Sequence, residues 1–205
     1  MRTIRPHSPT RHIRGVASLE FVIIVPILLI LLLGIYQIAQ LVRVNMKLSG
    51  VAVSVADLVA QQANGVSGGA GSALRNFCSA GQLMMTPFPS SGNSGNFTLA
   101  VASVTNYSPG NVRVDWEVDG ACSRAAPAIG NTNAIALATT PINLLPTTGP
   151  SGTIGVAGDS VIVVQANYNY TSLLQYLAPT ITMMTHTGFA RPRANSVIPC
   201  TSSCS

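Results

Sequence analysis

A chain of 205 residues has room for one ordinary domain and an anchor. Only 8 % of its residues are charged and its mean hydropathy is +0.41, which argues against the charged surface of a cytosolic enzyme. The net charge of +5 sits in the leader: Arg2, Arg5, Arg11 and Arg14 are basic, and the other seven basic residues face six acidic ones. That balance excludes a basic footprint for DNA or RNA.

Residues 1–15 form a basic leader without an acidic residue. Residues 16–36, VASLEFVIIVPILLILLLGIY, follow as an apolar block with a single charge, Glu20. A helix of that length rises roughly 30 Å, the thickness of a hydrocarbon core. The block extends to a membrane span over about 16–40. The leader arginines orient it with the N-terminus in the cytoplasm and the rest of the chain outside. A cleaved secretory signal fits less well, because the run is long and Gly34–Val44 lacks a small-x-small cleavage site. A plain signal anchor explains the hydropathy but leaves Glu20 unexplained. A carboxylate in a bilayer costs a few kcal/mol, so it needs a partner, a purpose or a place in the headgroup region.

After the span, apolar residues recur at Leu41, Val44, Leu48, Val51, Val55 and Leu58, a helical stripe. Residues 16–62 thus read as one helix about 70 Å long, in which Pro26 removes a hydrogen bond and introduces a kink. The stripe needs a cover. The protein's own C-terminal domain is the expected one, and another subunit's helix is the alternative. The Gly-rich segment 63–72 is the linker to a domain over 73–205. A short helix is expected over Ser72–Cys78 with Ser72 as its cap.

Phe97–Thr105 is rich in β-formers, and residues 107–111 supply a turn with Pro then Gly. Val112–Asp119 alternates, placing Val112, Val114, Trp116 and Val118 on one face, so the two segments read as an antiparallel hairpin. The other face carries Arg113, Asp115, Glu117 and Asp119, read as a solvated row rather than a cation site. Residues 120–158 read as a long loop. Ser160–Tyr170 is a strand whose run Val161–Val164 suits a central position covered on both faces. Leu173–Leu177 reads as a short helix or a turn grazing the membrane, and Ile181–Ala190 as a last strand. The whole is an α+β fold: a long N-terminal helix followed by a small antiparallel sheet domain.

Cys78, Cys122, Cys200 and Cys204 include no C-x-x-C pair, and His186 stands alone downstream of the leader, so no metal site is expected. An even count in an exported domain favours disulfides, with three pairings open. Cys78–Cys122 and Cys200–Cys204 is preferred, since the last two close a small loop. There is no Gly-x-Ser-x-Gly elbow and no phosphate-binding loop, so neither an enzyme nor a cofactor is expected. His186 reads as a polar strand residue and Trp116 as core.

Arg14-Gly15 followed by Val16-Ala17-Ser18-Leu19-Glu20-Phe21 resembles the processing site of type IV pilin-like proteins. There the leader ends in Gly, and Glu is the fifth residue of the mature chain; Glu20 is fifth from Val16. The Glu20–Phe21 pair with Pro26 resembles more specifically the TadE/TadF-type minor pilins of tight-adherence (Flp) systems. Ala190-Arg191-Pro192-Arg193 and Ile198-Pro199-Cys200 resemble the tail of TadE-like proteins. The chain departs from most type IV pilins in carrying Val16 where they begin with Phe.

The resemblance implies cleavage between Gly15 and Val16 by a prepilin peptidase, and residence in a bacterial inner membrane with a periplasmic C-terminal domain. It also implies assembly with other pilin or pseudopilin subunits and the tight-adherence machinery. In that assembly Glu20 of one subunit pairs with the new Val16 amine of a neighbour. The alternative is an uncleaved, signal-anchored periplasmic binding protein or enzyme.

Overall fold

In the computed structural model of the protein, the described residues are 13–69, 71–88, 90, 96–107, 112–118, 129, 160–171, 183–193 and 197–202, with backbone alone for 13–17 and 112. Residues 1–12 of the leader, turn residues 108–111, Asp119, Cys122, nearly all of the 120–158 loop, Leu173–Leu177 and Cys204 lie outside them. By packing, the chain divides into two units, Met1–Leu41 and Val42–Ser205.

Helix α1 covers Ile13–Ala60, close to the expected 16–62, and runs through Pro26 without a break. Its part in the first unit is a helix with large apolar side chains outward: Leu19, Phe21 to Ile24, and Ile27 to Leu33 are all exposed. Residues 18–60 are long and apolar enough to cross a membrane, with a peak mean hydropathy of 2.8.

The second unit begins with the last five turns of α1. Then come β1 (Val66–Ser67), α2 (Ala73–Met84), β2 (Phe97–Asn106), β3 (Val112–Val118), β4 (Ser160–Tyr168), β5 (Met184–Ala190) and β6 (Cys200–Ser202). Strands β2 to β5 form an antiparallel sheet in the order β3-β2-β4-β5, so the apolar β4 is central as its sequence implies. Val44, Leu48, Val51, Val55 and Val59 of α1 are buried against one face of the sheet, together with Leu99, Val101, Trp116, Ile162 and Val164. The protein's own domain therefore covers the stripe. Each fully buried Leu or Val contributes about 1.5–3 kcal/mol. At its end the stripe follows Val59 rather than Leu58, which is half-buried, because 3.6-residue periodicity has by then drifted past the 3-4 spacing.

Helix α2 extends to Met84, beyond the expected Cys78. Ser72 caps it as expected, accepting the Arg75 amide. Leu74, Cys78 and Gly81 share its buried face, and the spacing continues past Cys78 because Gly81 lets the helix sit close on Val51 and Val55.

Two local features depart from the sequence reading. Within the 63–72 linker, Val66 and Ser67 form β1, which pairs in parallel with β6. Gly65 enters this strand at φ +86°, and a Cβ there would lie 2.6 Å from the Pro199 carbonyl oxygen. In the β2–β3 hairpin, Ser103 pairs with Trp116 but Val104 pairs with Val114, so Asp115 is an extra, bulged residue. The bulge reverses the alternation. Trp116 and Val118 face the helices, whereas Val114 faces the other side with Ala100, Ala102, Val161 and Val163. The single apolar face drawn through Val112–Val118 is thus two.

Candidate functional site

The residues of the junction fall at the beginning of α1. Gly15 and Val16 are both helical and lie within its first four residues, where main-chain N–H groups lack intrahelical partners. Extending the backbone across this junction would unwind one turn of α1. Gly has the lowest helix propensity short of Pro, which makes that turn the cheapest to open. Glu20 and Phe21 both project from the helix, Phe21 with 68 % of its surface exposed. Glu20 has no hydrogen-bond or ion-pair partner among the described residues. Pro26 is exposed one and a half turns further along.

The acidic row on β3 is not a solvated face. Glu117 is 5 % exposed, and both of its carboxylate oxygens accept the Ile129 N–H at 3.0 Å. Asp115, displaced by the bulge, accepts from the hydroxyls of Ser103 (3.1 Å), Thr105 and Tyr107 (2.5 Å). Asp115 thus ties the two strands of the hairpin together, and Glu117 ties β3 to Ile129. Among the described residues, no three His, Cys, Asp or Glu side chains converge as a metal-binding group.

Tyr107 is raised above its ordinary pKa of 10.0, first by that hydrogen bond to Asp115, then by burial and the Asp115 charge. Tyr168 on β4 is raised chiefly by burial. Each phenol loses its proton at lower pH when the chain is unfolded. Their contribution to stability is therefore complete below about pH 10 and is lost as pH rises through the folded values. Ultraviolet titration should show tyrosines ionising above the range of the denatured chain, with unfolding favoured as they do.

Trp116 is core, as read, and its indole N–H donates to the Ile198 carbonyl at 2.8 Å. His186 is a strand residue hydrogen-bonded to Asn45 of α1. Arg193 closes the C-terminal end of α1: its amide donates to the Ala60 carbonyl at 3.0 Å, and its guanidinium lies 3.1 Å from Asp57. Both members of that pair are more than half exposed, so the pair contributes only about 0–1 kcal/mol. The Val66 amide donates to the Pro199 carbonyl. The tail residues that resemble TadE-like proteins thus bind the tail to the helix end and to β1.

No cysteine is free among the described residues; Cys78 is buried in the core and Cys200 is half-buried on β6. A shallow cavity of about 440 Å³ opens at the end of α2 between Ser79, Gln82, Leu83, Thr86 and Phe88.

Residues 15–57 match the family model described as TadE-like protein. No curated protein and no solved structure matches the chain significantly. The family match begins at the glycine of the junction, takes in Glu20, Phe21 and Pro26, and ends three residues before α1 does. The likeness to TadE-like protein is thus confined to residues 15–57, the greater part of α1.

Proposed function

We propose that this chain is a minor pilin or pseudopilin that takes part in assembling a tight-adherence (Flp, type IVb) pilus after leader cleavage between Gly15 and Val16. The observation that carries this reading is the start of the family match at Gly15, on a helix whose one charged residue between positions 16 and 36 is Glu20. A prepilin peptidase removes the basic leader and frees the Val16 amine. The helix stays in the bacterial inner membrane, with the domain in the periplasm. Subunits then associate through Glu20 and a neighbour's amine, which offsets the desolvation of both charges. The protein works by assembly and in the service of adhesion, not by catalysis.

Two disulfides, Cys78–Cys122 and Cys200–Cys204, belong to the same reading. The lack of a free cysteine among the described residues supports disulfide formation, and the pairing is the one preferred from the sequence.

Intact-mass analysis of the protein from its native host is the test. The expected species begins at Val16, lighter than the full chain by residues 1–15. A chain that keeps its leader while the peptidase is active would overturn the proposal in favour of an uncleaved anchor.

A further inference from the structure

We infer that the Val42 end of the second unit is a bilayer-contacting surface, made by Leu83, Met84 and Met183 with Arg43 and Lys47 among them. This rests on the reading that the apolar helix spans a membrane.

Two sets of contacts bring these side chains to one end. The Lys47 ammonium donates to the main-chain carbonyls of Thr86 and Met84, and it lies 5.9 Å from the centre of the Phe88 ring. The turn that ends α2 is therefore held at Lys47, five residues after Val42. Strand β5 follows α1 in the same direction: His186 bonds Asn45, Gly188 lies against Ala52 and Val53, and Arg193 reaches Asp57 and Ala60. The start of β5, at Met183 and Met184, accordingly lies at the Val42 end.

The surface so formed is apolar and basic. Leu83 is 74 % exposed and Met183 62 %, with Met84, Met46 and Val42 exposed beside them. Among the described residues of this unit, the other large apolar side chains that are exposed are Val53 and Tyr107. The titratable groups at this end, among the described residues, are Arg43, Lys47, His186, and the tyrosines Tyr168, which pairs with Met184, and Tyr170. The described acidic residues lie elsewhere: Asp57 beside Arg193, and Asp115 and Glu117 where β3 meets Ser103, Thr105 and Ala102, away from the Phe97–Tyr168–Met184 end of the sheet.

A tether selects the occupant. Val42 follows the end of the apolar span, at about residue 40, by two residues, so the bilayer is the surface that the chain itself joins to this end. Exposed Leu and Met beside basic residues, with no acid among them, suit the insertion of apolar side chains under an anionic lipid surface. That surface is attached to every copy of the chain, whereas a second protein must be found by diffusion.

The test uses the full chain in vesicles of phosphatidylethanolamine and phosphatidylglycerol, made with ordinary or brominated acyl chains. Leu83→Trp and Met183→Trp report on the surface, Val53→Trp and Tyr107→Trp on exposed positions away from it, and Tyr36→Trp on the apolar helix. The emission of buried Trp116 is subtracted using the wild type. Brominated lipid should remove most of the emission added at positions 36, 83 and 183, and little of that added at 53 and 107. Quenching at 36 without quenching at 83 and 183 overturns the surface while leaving the anchor intact. Loss of quenching at 36 overturns the anchor, and the surface with it. Shielding of 83 and 183 from both brominated lipid and aqueous iodide means that protein covers them, which also overturns the proposal.

Discussion

Replacing Gly188 by Ala should destabilise the second unit by about 3 kcal/mol, the upper end of the usual cost of overpacking. A Cβ at this position would lie 2.4 Å from the carbonyl carbon and oxygen of Ala52 and 2.6 Å from the Val53 nitrogen. All three are main-chain atoms of α1, so no side chain can rotate away. Either strand or helix must shift in a core packed as densely as a crystal. For a chain of this size the loss corresponds to a fall in Tm of roughly 6–12 °C, read by circular dichroism in detergent. Gly50→Ala is the matched control. It lies on the exposed side of α1 with nothing within 4 Å of its added methyl, so its better helix propensity should raise stability by about 0.5–1 kcal/mol. Equal melting of Gly188→Ala and wild type would mean that β5 does not lie on the helix.

Glu20→Gln should leave the protein in the membrane and yet disable it. The substitution keeps shape and removes charge, which relieves the few kcal/mol that a carboxylate costs on entering a bilayer. Insertion should proceed at least as well as in wild type. Removing one partner of a buried ion pair strands the other, at about 3–5 kcal/mol, so association through the Val16 amine should weaken by two orders of magnitude or more. Membrane fractionation and pilus yield, measured together, separate the two effects. Wild-type values in both would remove Glu20 from the assembly role proposed for it.

Most of the helical part of this fold was legible because periodicity survives in sequence. The stripe from Val44 to Val55 named its buried face, and Ser72 announced its cap. The β-run Val161–Val164 placed β4 at the centre of the sheet for the same reason: a strand covered on both faces has no polar alternation to show. The bulge at Asp115 was not legible, since one inserted residue leaves the pattern of Val112–Val118 intact while moving Val114 to the opposite face. Glu117 looked solvated because its burial depends on Ile129, which lies in a segment without local pattern. Strands β1 and β6, of two and three residues, are too short to carry any period. Gly188 did carry a signal, an isolated glycine within a strand, which marks a close backbone approach. Of the functional site, the junction and Glu20 were readable only as a motif. No composition or spacing argument separates that segment from a plain anchor.

The pairing of β1 with β6 bears on the order in which the molecule can be made. Val66 and Cys200 are neighbours in the sheet although 134 positions separate them (200 − 66). The Trp116 indole likewise waits for Ile198. While the chain is being translated, the N-terminal half must stay unfinished until these late residues emerge. The domain closes only once residues 198–202 are available, so chains stalled or clipped before them would present an open edge at Val66 to the folding and degradation machinery.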